Sequence, residues 1–303
     1  MAEVHHFTHG WLNPGFAYTV SVIGALIGLY CTGRARAVSE GAARVKWLTI
    51  ATVAIGGAGV WLAHFTAMLG FDVVDSPVRY SPALTAASLA LSLGAVGVGL
   101  FLVGYREPST AQILRAGGVT GAGLLGMHFT GMAAVDVAGE ITYGPKLVAL
   151  SALIAVVAAT AALWFSTTVD GRLPIAGASA LMAAGVCGMH YTAMAAVGVE
   201  LDRTGLSVVE GVRPLGLIVA VALVSAVTMT VMATVALQAM TTEEFAGDGP
   251  ATLTKPEPVG LAAAGFSATP TATARARATA TEPIRLDMPI TPGLRHREAR
   301  APY

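Results

Sequence analysis

Three histidines stand inside apolar stretches of the chain, each in the same local setting. The copies read Ala63-His64-Phe65-Thr66-Ala67-Met68, Met127-His128-Phe129-Thr130-Gly131-Met132 and Met189-His190-Tyr191-Thr192-Ala193-Met194. On a helix, each His and the Met four residues later share one face. The residue before each His lies about 100° further round. Three such helices facing one axis would bring together three imidazoles and several thioethers. Thioether sulfur suits Cu(I), and imidazole suits copper, zinc and iron. Magnesium and calcium want oxygen ligands, which the pattern lacks. The candidate metal ligands are therefore His64, Met68, Met127, His128, Met132, Met189, His190 and Met194, with copper the ion they suit best. The plainer alternative is interhelical hydrogen bonding by the histidines and packing by the methionines. Three matching copies favour ligation, because an ionisable side chain in a membrane span is a functional hypothesis by default. Two histidines at equal depth could instead ligate a haem axially.

The elements that must position these residues are membrane helices. The chain has 303 residues, of which 54% are hydrophobic and 12% charged, with mean hydropathy +0.67. Soluble domains carry about twice that charge. Net charge is zero, which gives no basic stripe for nucleic acid. A transmembrane helix needs about 20 mostly apolar residues. Seven segments qualify: 12–33, 47–71, 82–105, 116–135, 147–168, 174–199 and 214–240. The motif falls on the second, fourth and sixth, with histidines 64 and then 62 residues apart. The repeating unit is thus a helical hairpin, and the motif helices all run the same way. Charged residues eight to ten positions beyond each His (Asp72, Asp136 and Glu200) mark the span ends. They put the imidazoles roughly 12–15 Å below the surface.

Loops after spans one, three and five carry seven basic residues; those after two, four and six carry four, beside seven acidic ones. The positive-inside rule then places the N-terminus outside and the C-terminus in the cytoplasm. The fold expected is an all-α integral membrane domain over residues 1–240, followed by a disordered cytoplasmic tail over 241–303. That tail is rich in Pro, Ala and Thr, with the run Thr-Ala-Thr-Ala-Arg-Ala-Arg-Ala-Thr-Ala-Thr at 271–281. Glycines in spans two and four read as packing positions.

The other candidates are weaker. His5, His6 and His9 could cap an outward-facing metal site, but a solvated terminus is the plainer reading. Cys187 lies three residues before His190 and could add a thiolate, although buried cysteines are commonly inert. Cys31 and Cys187 fall at different depths, so no disulfide is expected. The N-terminus lacks a basic n-region, and no cleavable signal peptide is expected. No paired carboxylates and no Ser/His/Asp set occur in the spans, so no enzyme activity is expected.

The third copy contains Met-His-Tyr-Thr at 189–192, and the second, Met-His-Phe-Thr, is a close variant. Across residues 6–240 the chain resembles the MHYT domain family of bacterial integral membrane proteins, both in motif and in repeat spacing. The resemblance implies a seven-span sensor in the bacterial inner or plasma membrane, with copper held by the Met and His residues. It further implies a diatomic gas (O2, CO or NO) or a redox change as the stimulus. His128, Met127, Met132, His190, Met189 and Met194 match the pattern, as do His64 and Met68. Ala63 departs from it, standing where the other copies have Met. Many relatives also carry cytoplasmic signalling domains. Residues 241–303 do not resemble one, so the expected partners are membrane lipid and a separate cytoplasmic signalling protein. A copper carrier or transporter is the remaining alternative.

Overall fold

A computed structural model describes residues 2–5, 8, 10–38, 41–105, 108–202 and 208–216, with single positions between 219 and 234. The expected seventh span, 214–240, is described at its start and at those positions. The expected tail, 241–303, lies outside the described residues.

The elements run β1 (Val4–His5), α1 (Leu12–Ala37), α2 (Ala42–Gly70), β2 (Asp72–Val73), β3 (Arg79–Tyr80), α3 (Pro82–Gly104), α4 (Thr110–Ala133), β4 (Val135–Asp136), β5 (Gly139–Tyr143), α5 (Pro145–Thr168), α6 (Arg172–Met194) and β6 (Val197–Leu201). Among the described residues, five helices are long and apolar enough to cross a membrane: α1, α2, α3, α5 and α6. The other, α4, has 24 residues, but its Gln112, Arg115, threonines and glycines lower its hydropathy. Helix starts follow local chemistry. Pro82 and Pro145 occupy the first turns of α3 and α5, where a missing N–H costs nothing. Ser109 caps α4 by accepting from the Gln112 N–H at 3.2 Å.

Consecutive helices pack side by side, and α6 returns to α1, so the six form a closed ring. Small residues set the spacing. A Cβ on Gly24 of α1 would lie 2.6 Å from the Gly59 Cα of α2, so only glycine permits this crossing. Ser21 donates to the Gly59 carbonyl at 2.6 Å beside it.

Two features depart from the expected all-α architecture. First, α2 is not uniform: Val53–Leu62 is π-helical, and the α-helix resumes over Ala63–Ala67. Short π-helical turns inside α-helices are frequent at functional sites. Second, the loops beyond the motif form three antiparallel strand pairs, β1 with β2, β3 with β4 and β5 with β6. Each pair joins the strand entering one helical hairpin to the strand leaving it. The Val, Ile, Thr and Tyr residues there favour extended backbone, and pairing satisfies main-chain groups that leave the helix ends.

The opposite end of the ring is tied by long polar side chains. Arg36 donates to the Ser166 and Val169 carbonyls and to Asp170, at the end of α5. Arg44 donates to the carbonyls of Ala35, Val38 and Tyr105, at the ends of α1 and α3. Gln112 donates to the Leu102 carbonyl at 2.6 Å. Helix C-termini leave carbonyls without intrahelical partners, and these side chains supply donors to them.

Candidate metal centre

The three motif helices α2, α4 and α6 turn their histidines toward one point. One ring nitrogen from each of His64, His128 and His190 lies within 4.8 Å of those of the other two. The ring centroids are 5.0 Å apart for His64–His128, 5.0 Å for His64–His190 and 5.2 Å for His128–His190. Interplanar angles of 79–81° give the trio a near-threefold, edge-to-face arrangement. All three are buried, with His128 at 0% exposure.

Their hydrogen bonding is incomplete. The Nδ1 atoms of His64 and His190 are 3.0 Å apart, so one donates and the other accepts. Neither ring nitrogen of His128 has a hydrogen-bond partner among the described residues, and neither does Nε2 of His64. A buried polar atom left without a partner costs about 1–3 kcal/mol. Three such atoms lie in this one cluster, where buried polar groups are ordinarily paired.

The five motif methionines are all buried. Met68, Met127, Met132, Met189 and Met194 are each at most 3% exposed. Ala63, which replaces a Met, is also buried. The other candidates fall elsewhere. Among the described residues, the His/Cys/Asp/Glu group placed to hold a metal consists of the three histidines alone, without Cys187 or His5. Cys31 and Cys187 are both free thiols. His5 is exposed, faces Glu3 at 3.8 Å and pairs with Asp72 across β1 and β2. His6 and His9 lie outside the described residues.

Sequence reasoning missed two contributors. The first is Gly131, the small residue of the second motif. A Cβ there would stand 2.6 Å from Nε2 of His64. Glycine at 131, where the other copies carry Ala67 and Ala193, is what lets the His64 ring reach α4. The second is the pair of tyrosines on the strands. The Phe65 ring packs on Tyr80 at 6.2 Å and Phe129 on Tyr143 at 5.3 Å. The aromatic that follows His64, and that which follows His128, therefore anchors the strand preceding the next helix. Burial pushes both tyrosine phenols above their ordinary range, so these rings stay neutral. A signal was present: Tyr80-Ser81-Pro82 and Tyr143-Gly144-Pro145 recur 16 and 15 residues after His64 and His128. Trp61 completes this layer, donating to Ser88 Oγ at 2.9 Å and packing at a tilt against Phe65, with ring centroids 5.0 Å apart.

Comparison with known proteins agrees with the repeat. Residues 57–116 and 121–179 each match the MHYT family model, described as a bacterial signalling protein N-terminal repeat. The first match contains His64 and the second His128; His190 lies beyond both. The chain is 35% identical over 186 residues to the bifunctional diguanylate cyclase/cyclic di-GMP phosphodiesterase MucR of Pseudomonas aeruginosa, covering 60% of this chain and 27% of that protein. It is 35% identical over 147 residues to the cyclic di-GMP phosphodiesterase NbdA of the same organism, covering 46% and 19%. It is 30% identical over 155 residues to the signaling protein YkoW of Bacillus subtilis, covering 49% and 19%. The chain thus spans about a quarter or less of these relatives' length. No solved structure matches. Residues 57–179 are thus two repeats of the MHYT family, and a third copy of the motif, at His190, follows them and meets their histidines at one point.

Proposed function

We propose that the chain is a membrane sensor whose signal begins with a copper ion at His64, His128 and His190. The observation that carries this reading is the buried imidazole trio with three ring nitrogens lacking partners. The donor chemistry fits: neutral nitrogen ligands, buried thioethers on the same helices and no carboxylate in the cluster. Met68, Met127, Met132, Met189 and Met194 supply the soft surroundings that favour Cu(I). When bound, copper supplies an electron-accepting centre able to change redox state or take a diatomic ligand such as O2, CO or NO. The protein's own part is positioning. Imidazole nitrogens on one four-coordinate ion stand about 3.3 Å apart, against up to 4.8 Å here. Drawing them together brings α2, α4 and α6 closer, which is the change of packing that a sensor needs. The ring spacings of 5.0–5.2 Å favour an ion over a porphyrin.

In this reading the chain crosses a bacterial membrane seven times, with its motif end outside and its C-terminus in the cytoplasm. Relatives named for diguanylate cyclase and cyclic di-GMP phosphodiesterase activity support a role in signalling. Here the signal passes from the helix ends opposite the motif to a cytoplasmic partner. The test is metal analysis of detergent-purified protein beside His64→Ala, His128→Ala and His190→Ala. Copper is expected in the wild type and at background in each variant. Equal metal in all four sinks the proposal, and a Soret band would replace copper with haem.

A further inference from the structure

One helical turn from the histidines, on the side away from the strand pairs, the ring holds a partly open apolar cavity of about 50 Å³. Each motif helix contributes to its wall the residue four positions before its histidine: Val60, Leu124 and Val186. That spacing puts wall and imidazole on one face of each helix, so the cavity lies on the same axis as the trio. Met189, the neighbour of His190, also lines it, as do apolar side chains of α3 and α5. Thr120 is the one hydroxyl among the lining residues, and it donates to the Ala95 carbonyl.

We propose that this cavity binds a small uncharged apolar molecule of diatomic size, at a site separate from the imidazole nitrogens. The volume exceeds the roughly 30 Å³ that one water occupies in the liquid, yet water needs two to four polar partners to stay. Thr120 already donates elsewhere, and no ion finds a counter-charge on these walls. Walls this apolar offer water no partners and accept apolar solutes, which dissolve in lipid and reach the cavity through its open side. Because α2, α4 and α6 each form part of the wall, filling the cavity favours the wider packing of the helices. Occupancy and drawing-in of the histidines therefore oppose each other. That consequence rests on the proposed sensor reading; the site itself does not.

Xenon is the probe, with the protein in detergent and binding read by the chemical shift of dissolved ¹²⁹Xe or by anomalous density under xenon pressure. The wild type is expected to hold xenon at this position. Leu124→Phe and Val186→Leu each fill the space and should abolish binding, and the second serves if the first fails to fold. His128→Ala, which removes an imidazole and no wall residue, should retain it. No xenon in the wild type overturns the inference, as does undiminished binding in both filled variants or copper rather than xenon in the cavity. Xenon bound by a protein that holds no copper upholds this site while the sensor reading fails. Copper bound without xenon does the reverse.

Discussion

At the end of the ring opposite the motif, Arg36, Arg44 and Gln112 donate to carbonyls that the helix ends leave open. At the motif end, His128 and Nε2 of His64 are buried with no hydrogen-bond partner among the described residues. Both ends place polar groups in an apolar ring, and only one of them completes the bonding within the chain. Helix ends can be satisfied by any donor of sufficient reach, and three arginine and glutamine side chains suffice. The imidazole cluster shares a single internal hydrogen bond among six ring nitrogens in the described contacts. The difference teaches that one end is tied by the chain's own donors, while the other gathers ring nitrogens of His64 and His128 that the described side chains leave unpaired.

The sharpest way to break this comparison is His128→Ala. Bound copper should fall to background in elemental analysis while far-UV circular dichroism keeps its helical signal; retained copper would place the metal elsewhere. Gly131→Ala should follow, pushing the His64 ring away and weakening copper binding about 10-fold, as changes beside metal ligands commonly do. Ala193→Gly, the reverse change in the third copy, should leave affinity unaltered in the same competition titration. Arg44→Ala tests the other end. It should lower stability by about 1 kcal/mol, the usual net worth of such hydrogen bonds, since it leaves the carbonyls of Ala35, Val38 and Tyr105 without this donor. Its thermal midpoint should drop with copper content unchanged. Smallest of all, His5→Ala should alter neither quantity, because His5 is exposed and outside the cluster.

Much of this was legible in the sequence. Apolar runs located α1, α3, α5 and α6 to within a few residues, because lipid demands length and hydropathy together. The motif spacing placed three histidines on helices running the same way, and their convergence is what the coordinates show. The π-helical stretch Val53–Leu62 was not legible. Its residues are as apolar as any span, and no local pattern marks the wide turns. Strands of two residues, such as Asp72–Val73 and Arg79–Tyr80, are too short to show alternation. Gly131 drew no separate reading because its significance lies in His64, 67 residues away. The residues four before each histidine carried a face signal, Val60, Leu124 and Val186, hidden by the general abundance of apolar side chains.

The strand pairs carry a consequence for how the protein is made. Each pair closes one hairpin on itself: Val4 meets Val73, Tyr80 meets Val135 and Tyr143 meets Val197. Every repeat can therefore shut as soon as its second helix leaves the ribosome, before the next repeat is synthesised. The histidines obey a different clock. His64 waits 126 residues for His190, and no shorter chain assembles the trio. Local closure precedes distant contact because loop closure comes at lower entropic cost when the separation is small. An unfinished chain thus has hairpins and no imidazole trio, which forms only once the last repeat is in place.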